Sequence, residues 1–287
     1  MTATAIEVKE ISYAYGRTLA VDRISFKVAP GEIFGFLGPN GAGKSTTIKM
    51  LTGQIDPQSG TVSVLGMDIV RDRAAVQAEI GVCFEEKNLY LNMSARENLN
   101  FFAGLFGLKN FDAVEILRRV GLADRVDERA ESFSKGMRQR LMVARSLINT
   151  PKVLFLDEPT DGLDPASAQT IRKLIVGEAK RGAAVLLTTH DMEEADKLSH
   201  RVAFINEGKI VAEDTPENLK LKYGKRSVKV RIREKEGVRE EILPLDQAAS
   251  GERLKAAVGM EGLMTIHTEE ATLENIFIEL TGRGLQA

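Results

Sequence analysis

The chain has 287 residues, 43% of them apolar, and 39 lysines and arginines stand against 41 acids for a formal net charge of −2. That length predicts about two domains with room for a large core, and the even charge balance argues against a nucleic-acid binder. A single cysteine, Cys83, excludes an internal disulfide framework and fits a reducing compartment. The N-terminus shows no charged-then-apolar leader, and no apolar run approaches the roughly 18 residues of a membrane span, so any work at a membrane needs another chain to cross it.

Residues 6–28 alternate in polarity (Ile6-Glu7-Val8-Lys9-Glu10-Ile11, then Ile24-Ser25-Phe26-Lys27-Val28) and predict antiparallel strands. The apolar run 33–37 predicts a buried strand, and it leads directly into Gly38, Pro39, Asn40, Gly41, Ala42, Gly43, Lys44, Ser45 and Thr46, then a helix-compatible stretch from Lys44 to Gly53. Strand, glycine-rich loop and helix in that order form a phosphate loop. The glycines allow backbone N–H groups to turn inward, and the helix that follows aims its positive end at the same place. Lys44 is placed to reach β- and γ-phosphate oxygens, and the Ser45 hydroxyl to ligate the magnesium ion that bridges them.

From about residue 89 to 150 the pattern is helical, with one helix opening on a capping box at Ser94 and Glu97 before Leu99, Phe102, Ala103 and Phe106. Ser134 is placed as the N-cap of a further helix whose apolar residues Met137, Leu141, Ala144 and Ile148 recur at helical spacing. Four apolar residues, Val153 to Leu156, predict a strand of a parallel sheet with Asp157 and Glu158 at its carboxyl end, where such sheets bind ligands. Beside a phosphate loop, Asp157 would hold magnesium directly or through water, and Glu158 would act as general base on the attacking water.

Asp164-Pro165 caps and starts the next helix, and a strand over 185–187 completes a βαβ unit. A hairpin is predicted around Asn206-Glu207-Gly208. After Tyr223-Gly224 the style changes: Val228, Val230 and Ile232 alternate with Lys229, Arg231 and Arg233, and helices are predicted over 247–258 and 272–281. This basic strand face reads as a solvated face, with acidic lipid head groups or a protein partner as the alternative. No internal repeat or low-complexity stretch occurs.

The phosphate loop and the paired acids alone would permit a nucleotide kinase or a GTPase. Phe133-Ser134-Lys135-Gly136-Met137, followed by Arg138-Gln139-Arg140, narrows the choice, because it resembles the signature motif of the ATP-binding cassette (ABC) family, Leu-Ser-Gly-Gly-Gln. The Ser and second Gly are kept as Ser134 and Gly136, while Phe133, Lys135 and Met137 depart from the pattern. The resemblance covers residues 4–222 strongly, and the ending from Leu273 to Arg283 is similar to the tail of bacterial ABC exporters whose cassette and permease are separate chains.

That resemblance implies an α/β fold: a P-loop nucleotide-binding fold with a mixed, largely parallel sheet, an antiparallel β-subdomain, a helical subdomain (about 89–150) and a small C-terminal α/β domain, divided as 1–222 and 223–287. It implies ATP and Mg2+ as cofactors, and an ATPase at the cytoplasmic face of a bacterial-type membrane. By the family's pattern Tyr15 stacks on the adenine ring, with Tyr13 a rival; Asp161 belongs to the loop that crosses between paired cassettes; His190 contacts the γ-phosphate. Glu85 stands where a magnesium-contacting glutamine is usual, and as a carboxylate it adds negative charge there. Two cassettes pair head to tail in this family, with ATP between one phosphate loop and the other Ser134. The implied partners are a second cassette, a copy of this chain or a relative, and integral membrane permease subunits, with no nucleic acid. Against this energy-coupling reading stand a soluble ABC ATPase acting on ribosomes or DNA, and a regulatory protein that binds ATP without rapid turnover.

Overall fold

The computed structural model describes residues 4–84, 88–224, 227–234, 237–244, 248–259, 262–269 and 271–282. The chain divides into two units at the Asp214/Thr215 boundary. In the first, strands β1 (Ile6–Tyr15) and β2 (Thr18–Val28) precede β3 (Ile33–Leu37) and α1 (Lys44–Leu51). Then come β4 (Ser59–Val64), β5 (Met67–Asp68), α2 (Arg73–Glu79), β6 (Ile80–Cys83), α3 (Ala95–Leu105), α4 (Ala113–Arg119) and α5 (Lys135–Arg145). The unit closes with β7 (Val153–Asp157), α6 (Pro165–Lys180), β8 (Ala184–Thr189), α7 (Met192–Leu198), β9 (Arg201–Asn206) and β10 (Lys209–Asp214).

Its central sheet has the order β10-β9-β3-β8-β7-β6, with every neighbouring pair parallel except the β10–β9 edge hairpin. Strands β3, β7 and β8 are buried at every position, as continuous apolar runs require when both faces of a parallel sheet are covered. Side chains divide between the faces with the period of two that a strand imposes. Leu154, Leu156, Val185 and Leu187 join a core with Leu99, Leu117 and Leu141 of the helical lobe and Ile171 and Ile175 of α6. Val153, Phe155, Ala184 and Leu186 face the other way, against Ile48 and Met50 of α1 and the inner face of a second, antiparallel sheet ordered β2-β1-β4-β5. Phe26 of that sheet stacks on Phe34 at 5.3 Å between ring centres and lies 5.5 Å from Phe36. The result is a three-layer architecture with a mixed, largely parallel sheet as expected, and the phosphate loop leaves the middle of that sheet.

Local signals hold where they were strongest. Ser94 and Glu97 form a complete capping box on α3, Ser134 caps α5 through the Met137 N–H at 3.2 Å, and Asp164 caps α6 with Pro165 in its first turn. The β9–β10 turn consists of Glu207 and Gly208, both at positive φ. Strands β4 to β6 and helix α2 had no separate signal.

The second unit contains α8 (Pro216–Tyr223), β11 (Ser227–Glu234), β12 (Gly237–Pro244), α9 (Ala248–Val258), β13 (Leu263–Glu269) and α10 (Leu273–Thr281), with an antiparallel sheet ordered β12-β11-β13. Its boundary falls before α8 rather than at 222/223, because Leu219 is buried and α8 packs on α10. Among the described residues no helix is long and apolar enough to cross a membrane.

Cys83 ends β6 in the core, with its thiol fully buried, and burial pushes its pKa up to about 12. The native thiol is therefore expected to resist iodoacetamide at about pH 8 and to react only in denaturant. Because the folded pKa is raised, the neutral buried thiol contributes its full stability below the unfolded pKa of 9.0, and that share is lost as pH rises toward about 12. Chemical denaturation across this window should show a shallower decline for Cys83→Ala than for the parent chain.

Candidate functional site

The loop after β3 encloses a cavity of about 240 Å³ lined by Pro39, Asn40, Gly41, Gly43, Lys44, Ser45 and Thr46, together with Ala20 and Glu158. Two glycines shape it for separate reasons. At Gly38 an added Cβ would run into the Ile205 carbonyl oxygen and lie 3.0 Å from Ile205 Cγ2, so the loop can pass only without a side chain. Gly43 sits at φ +110, and its Cβ would stand 2.5 Å from the Ala20 carbonyl oxygen. Gly43 also precedes α1 without offering a side-chain cap, which leaves the N–H groups of the first turn to whatever enters the cavity. Ala42 is buried beneath the loop, and its carbonyl accepts from the Gly208 N–H at 3.0 Å; the Gly208 carbonyl in turn accepts from Asp22 N at 2.9 Å. Lys209 completes this clasp by pairing with Asp22 at 3.2 Å, and its ammonium is the main reason the Asp22 carboxyl is held below its usual range. The β9–β10 turn thus holds β2 and the loop together.

Lys44 is 6% exposed. Its ammonium donates to the Gly38 carbonyl at 2.6 Å and stands 3.2 Å from Glu158 Oε1. That oxygen accepts no well-aligned hydrogen bond, while Glu158 Oε2 faces His190 Nδ1 at 3.0 Å and the His190 N–H at 3.4 Å. Lys44 at the start of α1, Glu158 after β7 and His190 after β8 therefore meet, the first two on the cavity wall and His190 behind Glu158. Glu158 reaches it through a positive φ of 48°, and its N–H donates to the Thr188 carbonyl at 3.1 Å. The turn beyond is fixed by buried Glu194, which takes the Thr160 hydroxyl on one oxygen and Arg172 Nε at 2.7 Å on the other.

Asp157 ends β7, is 3% exposed, and takes one hydrogen bond, from the Thr188 hydroxyl. No cation among the described residues pairs with it. A buried carboxylate with one neutral donor favours a cation strongly, and with the Ser45 hydroxyl on the cavity wall the donor set is hard oxygen, which fits magnesium bound mainly through phosphates and water.

The remaining expected residues lie apart from the cavity. Tyr15 ends β1, is 49% exposed and meets Tyr13 edge to face at 4.9 Å. Ser134 and Gly136 lie at the start of α5, where Lys135 Nζ stands 3.5 Å from Asp161 Oδ2. Gly136 packs close to the α6 cap, where an added Cβ would lie 3.6 Å from Asp164 Oδ2. Neither group lines the cavity of its own chain. Glu85 lies outside the described residues.

A second recess of about 280 Å³ opens between β6 and the helical lobe, lined in part by Phe84, Asn88, Phe102, Phe106 and Arg145. Burial lowers the pKa of the Arg145 guanidinium, which sits 4.6 Å over the Phe102 ring and donates to the Asn88 carbonyl at 2.9 Å and Oδ1 at 2.5 Å. Tyr90, Leu91, Phe101 and Leu105 of the same lobe expose apolar surface. Sequence reading singled out neither Arg145 nor Thr188; the one signal present was a pair of threonines, Thr188 and Thr189, closing an otherwise apolar strand.

Comparison with known proteins agrees with this geometry. Residues 21–161 match the family described as ABC transporter. A fluoroquinolones export ATP-binding protein of Mycobacterium tuberculosis is 42% identical over 98% of this chain and 94% of its own length. Nod factor export ATP-binding protein I of Paraburkholderia xenovorans is 38% identical over the full length of both. Among solved structures, an ATP-binding subunit of an ABC transporter superposes with a TM-score of 0.71 at 28% identity, covering 77% of this chain and 93% of that one. The cbiO1 protein of Clostridium perfringens, part of the complex cbiONQ, gives 0.68 at 28% identity over 77% and 92%. Likeness that runs the whole length of the chain and includes the phosphate loop, the strand-end acids and the capped signature helix places this protein in the ABC transporter family, as an ATP-binding cassette subunit.

Proposed function

We infer that this cassette hydrolyses ATP to drive export through a separate membrane permease. The observation that carries the reading is the meeting of buried Lys44 and Glu158 with the half-exposed His190 beside the phosphate cavity. Phosphate oxygens entering the cavity meet the uncapped N–H groups of α1 and compete with Glu158 Oε1 for the Lys44 ammonium. Glu158 is then released from Lys44 while His190 still holds its other oxygen, which aims the carboxylate as general base toward a water attacking the terminal phosphorus. Bound magnesium, held by Ser45 and Asp157, would neutralise charge building on the phosphates. Glu85 is a further proposed contact to it.

Ser134, Gly136 and Asp161 stand away from the cavity of their own chain, which supports their acting on nucleotide held by a second cassette, a copy or a relative. Tyr15, half exposed at the end of β1, is available to stack on adenine, a contact worth about 1–3 kcal/mol for base–aromatic pairs. The recess at Arg145 with its exposed apolar border is the proposed seat of the permease, which leaves the chain peripheral on the cytoplasmic side. Relatives of 42% and 38% identity are named for different exported substances, which supports selection of cargo by the permease rather than the cassette. The accessory role of residues 215–284 is proposed as regulation or interaction.

Mild solubilisation and recovery of the tagged chain should bring down a stoichiometric multi-spanning protein; recovery with ribosomes alone would shift the reading to a soluble class. Glu158→Gln should bind ATP and accumulate as a dimer while steady-state hydrolysis drops by about 10²-fold or more, the usual contribution of a positioned base. Unchanged turnover would remove Glu158 from the mechanism. Gly43→Ala, which strains the backbone and crowds the Ala20 carbonyl, should weaken ADP binding in calorimetry by about tenfold or more.

A further inference from the structure

Strand β8 reads Ala184-Val185-Leu186-Leu187-Thr188-Thr189, and all of it is buried. Valine would suit position 188 as well in volume and strand propensity, so a fully buried hydroxyl there must answer a polar need or cost stability. The parallel register sets Thr188 directly beside Asp157. Its hydroxyl donates to Asp157 Oδ1 and accepts from the Glu158 N–H at 3.3 Å. The direction of both bonds is determined, since an amide can only donate and an ionised carboxylate only accept; the Leu156 carbonyl is a second acceptor at 3.5 Å, but the far shorter contact to the charged Asp157 oxygen takes the Thr188 proton.

One side chain thereby touches both acids of the site. Asp157 has no second hydrogen-bond partner among the described residues, so this bond alone among side-chain contacts fixes how its carboxylate turns. Glu158 sits at φ 48°, a conformation that persists only when neighbours hold it, and both the carbonyl and the hydroxyl of Thr188 take its N–H. Two residues along the chain, His190 holds the Glu158 carboxylate itself at 3.0 Å.

We propose that Thr188 is a positioning residue for the metal-binding carboxylate, turning Asp157 so that its free oxygen meets the nucleotide-bound divalent cation. The proposal rests on the ATPase reading above. Hydrogen-bond partners of this kind are worth about 10–100-fold in metal affinity or activity where they have been removed.

The test is calorimetric titration of the full chain with ADP, once in magnesium chloride and once in EDTA, for the parent, Thr188→Val and Thr188→Ser. Expected is a magnesium-dependent gain in ADP affinity in the parent that shrinks by about tenfold in Thr188→Val, with EDTA affinity unchanged, and that Thr188→Ser preserves. The same pair should divide in turnover, Thr188→Val losing kcat at saturating ATP while Thr188→Ser keeps it. Thr188→Ala, which also lacks the hydroxyl, stands in if the valine chain does not fold, with the same loss expected. Full magnesium dependence in the hydroxyl-free variant overturns the proposal, as does an equal loss in the serine variant or a loss confined to EDTA. A parent chain that binds ADP without any help from magnesium also overturns it. A parent that binds no nucleotide in either buffer overturns the ATPase reading and takes this proposal with it.

Discussion

The buried ammonium of Lys44 is the constraint around which the rest of the molecule is arranged. A charge that is 6% exposed is costly unless it is matched, and the chain matches it chiefly with the Gly38 carbonyl and the Glu158 carboxylate, the Pro39 carbonyl lying farther off at 3.5 Å. Both partners must come from the carboxyl ends of strands. That is possible because β3 and β7 flank β8 on its two sides, so their terminal loops open on the same edge of the sheet. The loop must also turn sharply enough for Lys44 to reach back six residues to Gly38, and the conformation at Gly43 permits it. The helix that begins there has no side-chain cap, so the N–H groups of its first turn are left open in a position that favours an anion.

The surrounding layers serve that geometry by holding the sheet immobile from both sides. One face packs on α6 and the helical lobe, the other on α1 and the antiparallel sheet, and each buried strand divides its side chains between the two cores. The strained Glu158 peptide, with a cost of order 1–3 kcal/mol, depends on this rigidity. Its carboxylate cannot drift, because its N–H is held by β8, one oxygen by His190, and the turn that follows by the buried Glu194 ion pair with Arg172.

Much of this was legible before the fold was known, for a physical reason. Signals written within a few residues survive folding: the loop from Gly38 to Thr46, the capping box at Ser94 and Glu97, the caps at Ser134 and Asp164, and the apolar runs of β3, β7 and β8. Relations written across strands were not legible. Nothing local marks Thr188 as the partner of Asp157, since the pair exists only through the β7–β8 register. Arg145 reads as one more basic residue of α5 until the fold sets it over Phe102. The Asp22–Gly208–Ala42 clasp joins distant segments, and the boundary before α8 follows from the packing of α8 on α10, two elements widely separated in the chain. The exchange of Leu, Gly and Gln for Phe133, Lys135 and Met137 was visible but not interpretable alone; in the fold, Phe133 is buried in the core and Lys135 pairs with Asp161.

The same logic decides between readings of the alternating strand after Gly224. In the sheet of residues 227–269, Val228, Val230 and Ile232 face a small core with Leu243 and Ala257, and the strand period sends Lys229 and Arg231 to the opposite face. On that face Arg231 lies opposite Glu240, which accepts from Lys229 at 2.8 Å and Arg231 at 2.9 Å. The Lys229 ammonium is also the main reason the Glu240 carboxyl is held below its usual range. A carboxylate shared by two cations offsets much of the charge that would otherwise attract an anionic lipid surface, and exposed pairs of this kind are worth only about 0–1 kcal/mol each. The alternation is therefore accounted for by a one-sided core with cross-strand pairing on its wet face, and the basic pattern needs no membrane to explain it.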